Sequence, residues 1–203
     1  SIAESSMMHH LAEPSKIDDT SWINPGRVSW EWWSSALGRT VKTLNHFVDL
    51  AAEMEWEYSL IDEGWGSMPD GNIQEVVDYA KSKNVDLIFW YNSGGRGDST
   101  VKSENHILFN DDTRQQELAR IAVLGVKGIK VDFFATDKQL AIELYHKMMK
   151  DAANNKLLVN FHGCTLPRGW SRTYPNLLTM EAVRGAESYI FSEAYPEIAA
   201  SYN

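Results

Sequence analysis

A lysine and an aspartate two residues apart form the pattern in this sequence that is best suited to catalysis. They lie within the segment 128–133, GIKVDF. The segment is short and apolar, which predicts a strand. Strand side chains alternate between faces, so Lys130 and Asp132 point the same way. A fixed ammonium beside a carboxylate on a buried strand favours the ionised acid, which can act as a nucleophile or a base. The same spacing also suits a structural ion pair, and the pattern alone does not decide between the two.

Further acidic residues fall where other predicted strands end. Asp62 and Glu63 close the second strand, and Glu181 and Glu187 flank the turn after the sixth. Two carboxyl groups at different strand ends can divide the acid and base roles of glycoside hydrolysis. A cluster of glutamates can instead bind calcium through oxygen ligands. Each acid alone could be a solvated loop residue or a helix cap, but their shared position at strand ends favours a site.

Three other segments carry weaker signals. Residues 93–97, SGGRG, lack the G-K-[ST] of a phosphate-binding loop and are interpreted as an ordinary loop. His162 and Cys164 have no second ligand pair at metal-binding spacing, so His162 is expected to hydrogen-bond substrate or its neighbours. The tryptophans of segment 30–33, WEWW, suit either the core or the floor of a sugar subsite.

Short apolar runs alternate with amphipathic segments along most of the chain. Residues 1–27 are loop-like, with Pro14, Pro25 and a polar cluster at 18–21. Strands are predicted at 28–33, 58–62, 87–92, 129–134, 157–161 and 177–180, and helices at 41–54, 72–82, 113–124 and 137–154. This alternation is typical of βα units around a parallel sheet.

Both a (β/α)8 barrel and an open doubly wound sheet fit that alternation. No glycine-rich fingerprint follows the first strand, where a dinucleotide-binding fold carries one. Polar and aromatic residues recur instead at the ends of successive strands, where barrel enzymes build their sites. These residues are Glu31, Trp33, Asp62, Glu63, Asn92, Asp132 and His162. We therefore predict an α/β fold, a (β/α)8 TIM barrel that is incomplete, with about six βα units instead of the eight of a full barrel.

Composition narrows the classes of partner. The formal net charge of -9 argues against nucleic acid, whose binding needs a basic face. The sequence contains no run of eighteen or more apolar residues, so no membrane span is predicted. The first residues, SIAE, do not form the basic and then apolar segment of a signal peptide. The single cysteine, Cys164, excludes an internal disulfide.

Several long segments match one family in particular. They are 19–27 (DTSWINPGR), 61–65 (IDEGW), 125–134 (GVKGIKVDFF), 159–170 (VNFHGCTLPRGW), 172–176 (RTYPN) and 181–187 (EAVRGAE). Together they resemble glycoside hydrolase family 97 over about residues 10–195. The resemblance implies a protein with an N-terminal β-sandwich, a central barrel and a small C-terminal β domain. Residues 1–27 would be a linker from the sandwich, and 28–203 a partial catalytic barrel.

The resemblance also implies a mechanism. The family's inverting branch, typified by α-glucosidases, has glycine at the position of Asp132 and general-base glutamates at those of Gly94 and Gly163. Its retaining branch, typified by α-galactosidases, has an aspartate nucleophile on the fourth strand and no glutamate at the other two positions. This chain has Asp132 and both glycines, so the resemblance implies retention of configuration.

Roles for individual residues follow from the resemblance. Asp132 would attack the anomeric carbon, and Glu187 would protonate the leaving oxygen and later deprotonate water. Glu181 would ligate calcium, and Glu187 would lie at the same ion, which would orient its carboxylate. Lys130 would contact a sugar hydroxyl. Further candidates for the glycone subsite are Asp62, Glu63, Asn92, His162, Trp32 and Trp33.

The implied substrate is an oligosaccharide with a terminal α-galactose or α-glucose, and the implied location is the periplasm or the exterior of the cell. No nucleic acid and no membrane span are expected. Two alternatives stay open. One is an inverting α-glucosidase of the same family. The other is a non-catalytic carbohydrate-binding or inactive barrel fragment, because a barrel without two of its strands exposes sheet edges.

Overall fold

The computed structural model describes residues 6–32, 39–94, 107–134, 136–183 and 185. Within them, six parallel strands form one sheet in chain order: β1 Val28–Trp30, β2 Tyr58–Ile61, β3 Asp86–Asn92, β4 Gly128–Asp132, β5 Leu158–Phe161 and β6 Leu177–Met180. The helices are α1 Met7–Leu11, α2 Val41–Glu53, α3 Ile73–Ser82, α4 Asp111–Leu124, α5 Gln139–Asn154 and α6 Trp170–Thr173. Among these helices, none is both long and apolar enough to cross a membrane.

Side-chain caps fix where the crossover helices begin. The Thr40 hydroxyl accepts from the Thr43 N–H at the start of α2. Asn72 and Glu75 form a reciprocal capping box at the start of α3. These helices and the strands lie within two residues of their predicted bounds, with one exception: β1 ends at Trp30 instead of 33. The short helices α1 and α6 were not predicted.

The sheet curls strongly. Neighbouring strands lie about 4.8 Å apart, so two strands four positions apart in a flat sheet would be separated by roughly 19 Å. The rings of Trp30, on β1, and His162, directly after β5, have centroids only 6.0 Å apart. The sheet therefore closes part of a circle, and the prediction of an incomplete barrel is confirmed.

Each face of the curled sheet has its own apolar cluster. The larger cluster lies between the sheet and the helices and includes Phe89, Ile129 and Val131, all fully buried. The smaller cluster lines the inner face and consists of Tyr58, Leu60, Ile88 and Leu158, with Trp30 and Leu178 packed against it. This apolar layer fills the bottom of the barrel interior. The polar side chains that follow it along the strands therefore lie together at the carboxyl ends of the strands.

Residues 6–27, here called the N-terminal strap, connect the two ends of the sheet. Near β6, the Arg172 guanidinium donates to the carbonyl oxygens of His9 and His10 at 3.0 and 2.9 Å. Near β2, the Tyr58 hydroxyl donates to the Asn24 carbonyl at 2.6 Å. Trp22 packs beneath the inner apolar cluster. The strap thus lies against the barrel at several points, while its assignment as a linker from a sandwich domain stays a prediction.

Candidate active site

Polar side chains meet at the carboxyl edge of the inner face, as the alternation predicts. Strand register places Lys130 of β4 between Trp90 of β3 and Asn160 of β5. One step further along, Asn92 is level with Asp132. Since residues two apart share a face, these five side chains belong to one surface above the apolar floor.

Lys130 is the buried centre of this surface. Its side chain is 3% exposed, and its ammonium lies 2.9 Å from Oδ2 of Asp62 and 3.5 Å from Oδ2 of Asp132. The ammonium also lies 4.2 Å from the ring centroid of Trp30, within cation–π distance. One cation therefore serves two carboxylates, and the aromatic face fixes the direction from which it reaches them.

Asp62 is saturated with donors. Its Oδ2 accepts from Lys130 and, at 2.7 Å, from the indole N–H of Trp30. Its Oδ1 accepts from the Glu63 backbone N–H at 2.8 Å and lies 3.4 Å from a guanidinium nitrogen of Arg39. A buried carboxylate held by four donors has a fixed orientation, so Asp62 fixes the position of Lys130.

Asp132 is held by the backbone that follows it. Its Oδ1 accepts from the Phe133 N–H at 2.7 Å, and its Oδ2 lies 3.5 Å from both the Lys130 ammonium and the Trp90 indole nitrogen. Phe133 has a φ of 63°, which is rare for a bulky residue and marks a constrained backbone. The carboxylate is 14% exposed, so it can meet a ligand from the open side.

Glu31 lies behind this cluster with a strongly perturbed acidity. Burial, together with the nearby negative charge of Asp62, raises the pKa of Glu31 to about 7. Its Oε1 accepts from the Asp62 backbone N–H at 3.1 Å and lies 3.5 Å from Nε of Arg39. Glu31 therefore supports the Asp62 turn from the side opposite Lys130.

His162 and Glu181 form a second, smaller group beside Asp132. Burial, with the positive charge of Lys130, lowers the pKa of His162 to about 4, so the ring is neutral at pH 7. Its Nδ1 lies 3.4 Å from Oε2 of Glu181, and that oxygen accepts from the Gly163 N–H at 3.1 Å. Glu181 is thus tied to the loop after β5.

The predicted metal site can be tested only in part. Glu181 is a suitable hard oxygen ligand for calcium, but its predicted companion Glu187 lies outside the described residues. Within the described ranges, no three His, Cys, Asp or Glu side chains come together in a way that could hold a metal ion. The described part therefore supplies one ligand of the predicted set, and calcium stays a prediction.

The remaining predicted residues occupy varied positions. Asn92 is buried, and its Oδ1 accepts from the Gly94 N–H at 2.7 Å, which shapes the turn after β3. Glu63 is partly buried directly after Asp62. The Arg39 guanidinium carbon lies over the ring of Trp32, 5.4 Å from the ring centroid. Trp33 lies outside the described residues.

The family follows from comparison with known sequences. A sequence model of the family described as Glycoside hydrolase 97 matches residues 22–183, well over half of the chain. The chain belongs to glycoside hydrolase family 97. This confirms the family that the motifs indicated.

Two curated relatives are similar over most of this chain. A probable retaining alpha-galactosidase of Streptomyces bingchenggensis strain BCW-1 is 32% identical over 203 residues, which cover 93% of this chain and 30% of that protein. A retaining alpha-galactosidase of Bacteroides thetaiotaomicron is 32% identical over 208 residues, covering 94% and 29%. The chain therefore spans about 30% of the length of the curated relatives it matches.

Solved structures agree on the architecture. A crystal structure of a beta-arabinopyranosidase superposes with a TM-score of 0.84 at 35% identity, covering 94% of this chain and 31% of that one. A family 97 enzyme from Pseudoalteromonas sp. strain K8, in complex with acarbose, gives 0.76 at 24% identity, covering 92% and 34%. The second likeness supports the barrel fold alone.

Four residues of the candidate site were not predicted as site residues. Trp90 and Asn160 precede Asn92 and His162 by two positions, so strict alternation along each strand could have placed them on the inner face. The buried Oδ1 of Asn160 accepts no hydrogen bond from the described residues. The sequence left open whether Trp30 belongs to the core or to a sugar subsite, and the structure places its ring against Lys130. For Arg39, no sequence pattern pointed to the site.

Proposed function

We propose that the protein is a retaining glycoside hydrolase that cleaves a terminal α-galactoside, with Asp132 as its nucleophile. One observation carries the proposal: the Asp132 carboxylate ends β4 with one oxygen held by the Phe133 N–H at 2.7 Å and the other facing Lys130 at 3.5 Å. Such a carboxylate is held in a fixed orientation beside a positive charge, which suits a nucleophile. The two retaining alpha-galactosidase relatives support the same reading.

The reaction proceeds in two displacements. Asp132 attacks the anomeric carbon, the bond to the aglycone oxygen breaks, and Glu187 protonates that oxygen as it leaves. Glu187 then takes a proton from water, the water oxygen attacks the same carbon, and the ester to Asp132 breaks. The sugar leaves with its original α configuration. The role of Glu187 rests on the family resemblance, and retention requires its carboxyl group to lie about 5–5.5 Å from that of Asp132.

Lys130 supports both displacements electrostatically. Because it also pairs with Asp62, it does not neutralise Asp132 alone, so the nucleophile keeps part of its charge density. When the ester forms and Asp132 loses its charge, Asp62 remains as the counterion of the ammonium. In this proposal, calcium at Glu181 would add fixed positive charge near Glu187, and neither displacement runs through the ion.

A second candidate substrate comes from the beta-arabinopyranosidase structure, which is 35% identical to this chain. A β-L-arabinopyranoside has the ring stereochemistry of an α-D-galactopyranoside without the hydroxymethyl group on C5. A pocket that hydrogen-bonds the C6 hydroxyl would reject the arabinoside by about 10⁴-fold, whereas a merely apolar fit would discriminate by only about 10- to 200-fold. The ratio of kcat/KM for the two p-nitrophenyl glycosides separates the candidates.

The deciding experiment uses the full-length protein that the gene encodes, with p-nitrophenyl α-D-galactopyranoside as substrate. We expect the α-anomer of galactose as the first product in the NMR spectrum. We expect Asp132→Ala to abolish turnover and azide to restore it, with β-galactosyl azide as the product. The exposed Asp78 on the outer helix α3 gives a matched control, since Asp78→Ala should leave the rate unchanged.

Four results would overturn the proposal. A first-formed β-anomer would indicate the inverting mechanism of the family's α-glucosidases. An α-glycosyl azide from Asp132→Ala would be a product of net retention and would show that another residue is the nucleophile. Undiminished activity of Asp132→Ala would remove the nucleophile. Binding of the sugar without any hydrolysis would indicate a carbohydrate-binding protein.

A further inference from the structure

The loop after β5 approaches the Asp132 carboxylate so closely that a side chain there would press against it. Gly163 has a φ of 49°, in the left-handed region. A Cβ built on Gly163 would lie 3.0 Å from Oδ1 of Asp132 and 3.1 Å from the backbone nitrogen of Phe133. Both distances are shorter than ordinary van der Waals contacts, so even one methyl group would press on the carboxylate and on the donor that holds it.

The surroundings leave Gly163 no room to retreat. Its N–H donates to Oε2 of Glu181 at 3.1 Å, which ties the loop to the end of β6. Its predecessor His162 donates its own backbone N–H to the Val131 carbonyl at 2.9 Å, which ties the loop to β4. The neighbouring sheet therefore sets the position of the Gly163 Cα.

Phe133 meets the same carboxylate oxygen through its backbone N–H. Its positive φ turns its N–H back toward Oδ1 of Asp132, at 2.7 Å. The Ser93 hydroxyl donates to the Phe133 carbonyl at 3.0 Å, and the Phe133 ring packs edge-on against Trp90. Neighbouring groups thus support a backbone conformation that a bulky residue rarely adopts.

We propose that Gly163 is a positioning residue for the Asp132 nucleophile: its bare Cα and the left-handed Phe133 backbone together fix Oδ1, and any side chain at position 163 displaces the carboxylate from its attacking geometry. The inference rests on the proposed role of Asp132. It concerns only how the carboxylate is held, so it can be tested separately from the hydrolytic function.

The test is a double-mutant cycle in the full-length protein. Gly163→Ala should lower kcat by about 100-fold, because a misplacement on the order of 1 Å at a reacting group has that effect. In the Asp132→Ala background the displaced oxygen is gone, so adding Gly163→Ala should change the azide-dependent rate by less than about 5-fold. An equal loss in both backgrounds would overturn the inference.

Backbone strain alone needs its own control. Gly125 also has positive φ, at 98°, but caps α4 far from the site, with a Lys81 side-chain carbon 3.1 Å from a built Cβ. Gly125→Ala should lower the melting temperature about as much as Gly163→Ala while leaving kcat unchanged. A loss of kcat in Gly125→Ala as large as that in Gly163→Ala would show that strain, and not the position of Asp132, controls the rate.

Two substitutions at Phe133 supply an independent pair. Phe133→Asn and Phe133→Val both remove the aromatic ring, but asparagine tolerates the left-handed region and a β-branched valine does not. We expect the valine variant to lose at least tenfold more kcat than the asparagine variant. Equal rates for the two would contradict a role for the Phe133 backbone.

A crystal structure of Gly163→Ala separates this inference from the proposed function. The distance from the Phe133 nitrogen to Oδ1 of Asp132 should lengthen beyond hydrogen-bond range, to more than about 3.5 Å. If that distance stays at 2.7 Å, the positioning role is wrong whatever the enzyme hydrolyses. If it lengthens but azide never rescues Asp132→Ala, the positioning stands and the proposed function fails.

Discussion

The Lys130 ammonium donates to the Asp62 carboxylate at 2.9 Å, across the intervening strand β3. It lies further, at 3.5 Å, from Asp132 on its own strand. The pair that the K-x-D spacing predicts is therefore the weaker of two interactions. Asp62 decides where the ammonium lies and how much of its charge reaches Asp132.

Replacing Asp62 tests that division of charge. Asp62→Asn keeps the shape but leaves Lys130 with one carboxylate, so the ammonium should move toward Asp132 and stabilise its anion. Each 1.4 kcal/mol of added stabilisation of the nucleophile corresponds to about a tenfold loss in kcat. We expect a loss of at least that size, measured by steady-state kinetics, and a free energy of unfolding lower by about 1–3 kcal/mol in urea titration.

An exposed pair of the same type serves as the control. Lys83 and Asp49 lie 2.8 Å apart with side chains 40% and 35% exposed. Asp49→Asn should change the free energy of unfolding by less than about 1 kcal/mol, because solvent screens such pairs. Equal losses in Asp62→Asn and Asp49→Asn would mean that burial does not strengthen the Lys130 interaction.

The raised pKa of Glu31 predicts a dependence of stability on pH. Its pKa is about 7 in the fold and 4.5 as the ordinary value, so the folded state binds more protons between those two pH values. Stability should therefore fall as pH rises from 4.5 to 7, by about 3 kcal/mol from this group. Urea titrations of the wild type and of Glu31→Gln at pH 4.5 and 8 measure the difference.

The glutamine variant removes the proton exchange and keeps an oxygen for the Asp62 N–H. We expect Glu31→Gln to match the wild type near pH 4.5 and to be the more stable protein at pH 8. A constant difference between the two proteins at both pH values would show that Glu31 does not take up a proton on folding in this range.

A buried guanidinium on the outer layer gives a prediction about the scaffold. Arg114 is 1% exposed and donates to Asp151 on α5 at 2.8 Å, to the Leu108 carbonyl at 3.1 Å and to Asp111 at 2.8 Å. A lysine ammonium lacks the planar, forked guanidinium group that reaches all three of these acceptors. Arg114→Lys should therefore lower the free energy of unfolding by about 3 kcal/mol in urea titration.

The matched control is a surface arginine. Arg27 pairs with Glu57 at 2.9 Å, with side chains 60% and 44% exposed, so Arg27→Lys should leave the free energy of unfolding nearly unchanged. If Arg114→Lys is equally mild, the guanidinium does not join α4 to α5 as the geometry indicates.

Calcium binding can be tested without any substrate. We expect added calcium to raise the melting temperature of the full-length protein by a few degrees and a chelator to reverse the change, because a ligand of the folded state stabilises it. Glu181→Gln should abolish the shift, while Glu143→Gln, on the exposed surface of α5, should retain it. A shift of the same size with magnesium, or none with calcium, would contradict a specific calcium site at Glu181.

Strand and helix periodicity predicted most of this fold because each βα unit has its own recognisable pattern over a short stretch of sequence. The strand at 128–133 and its neighbours alternate in a way that identifies the inner face, and Lys130 and Asp132 were found on that basis. The helix at Trp170–Thr173 is too short for periodicity to register. Its partner Met7–Leu11 packs against it from about 160 residues away, a contact that no local pattern encodes.

The rest of the site depends on curvature, which alternation does not specify. Trp30 reaches His162 because the sheet curls through part of a circle, and Lys130 reaches Asp62 across β3. Arg39 enters the site from the start of α2, and nothing in its neighbourhood distinguishes it from a solvated cation. Sequence patterns thus predicted the carboxylates and the lysine but not which of them pair.

The contacts between Arg172 and the carbonyl oxygens of His9 and His10 join residues 163 and 162 positions apart. During synthesis at about 5–20 residues per second, the strap must wait roughly 10 to 30 seconds before its anchor leaves the ribosome. Through that interval Asn24 and Trp22 can already dock beside β2, because Tyr58 is made early. The order of translation therefore lets the strap attach in two stages, first at β2 and only later at the segment before β6.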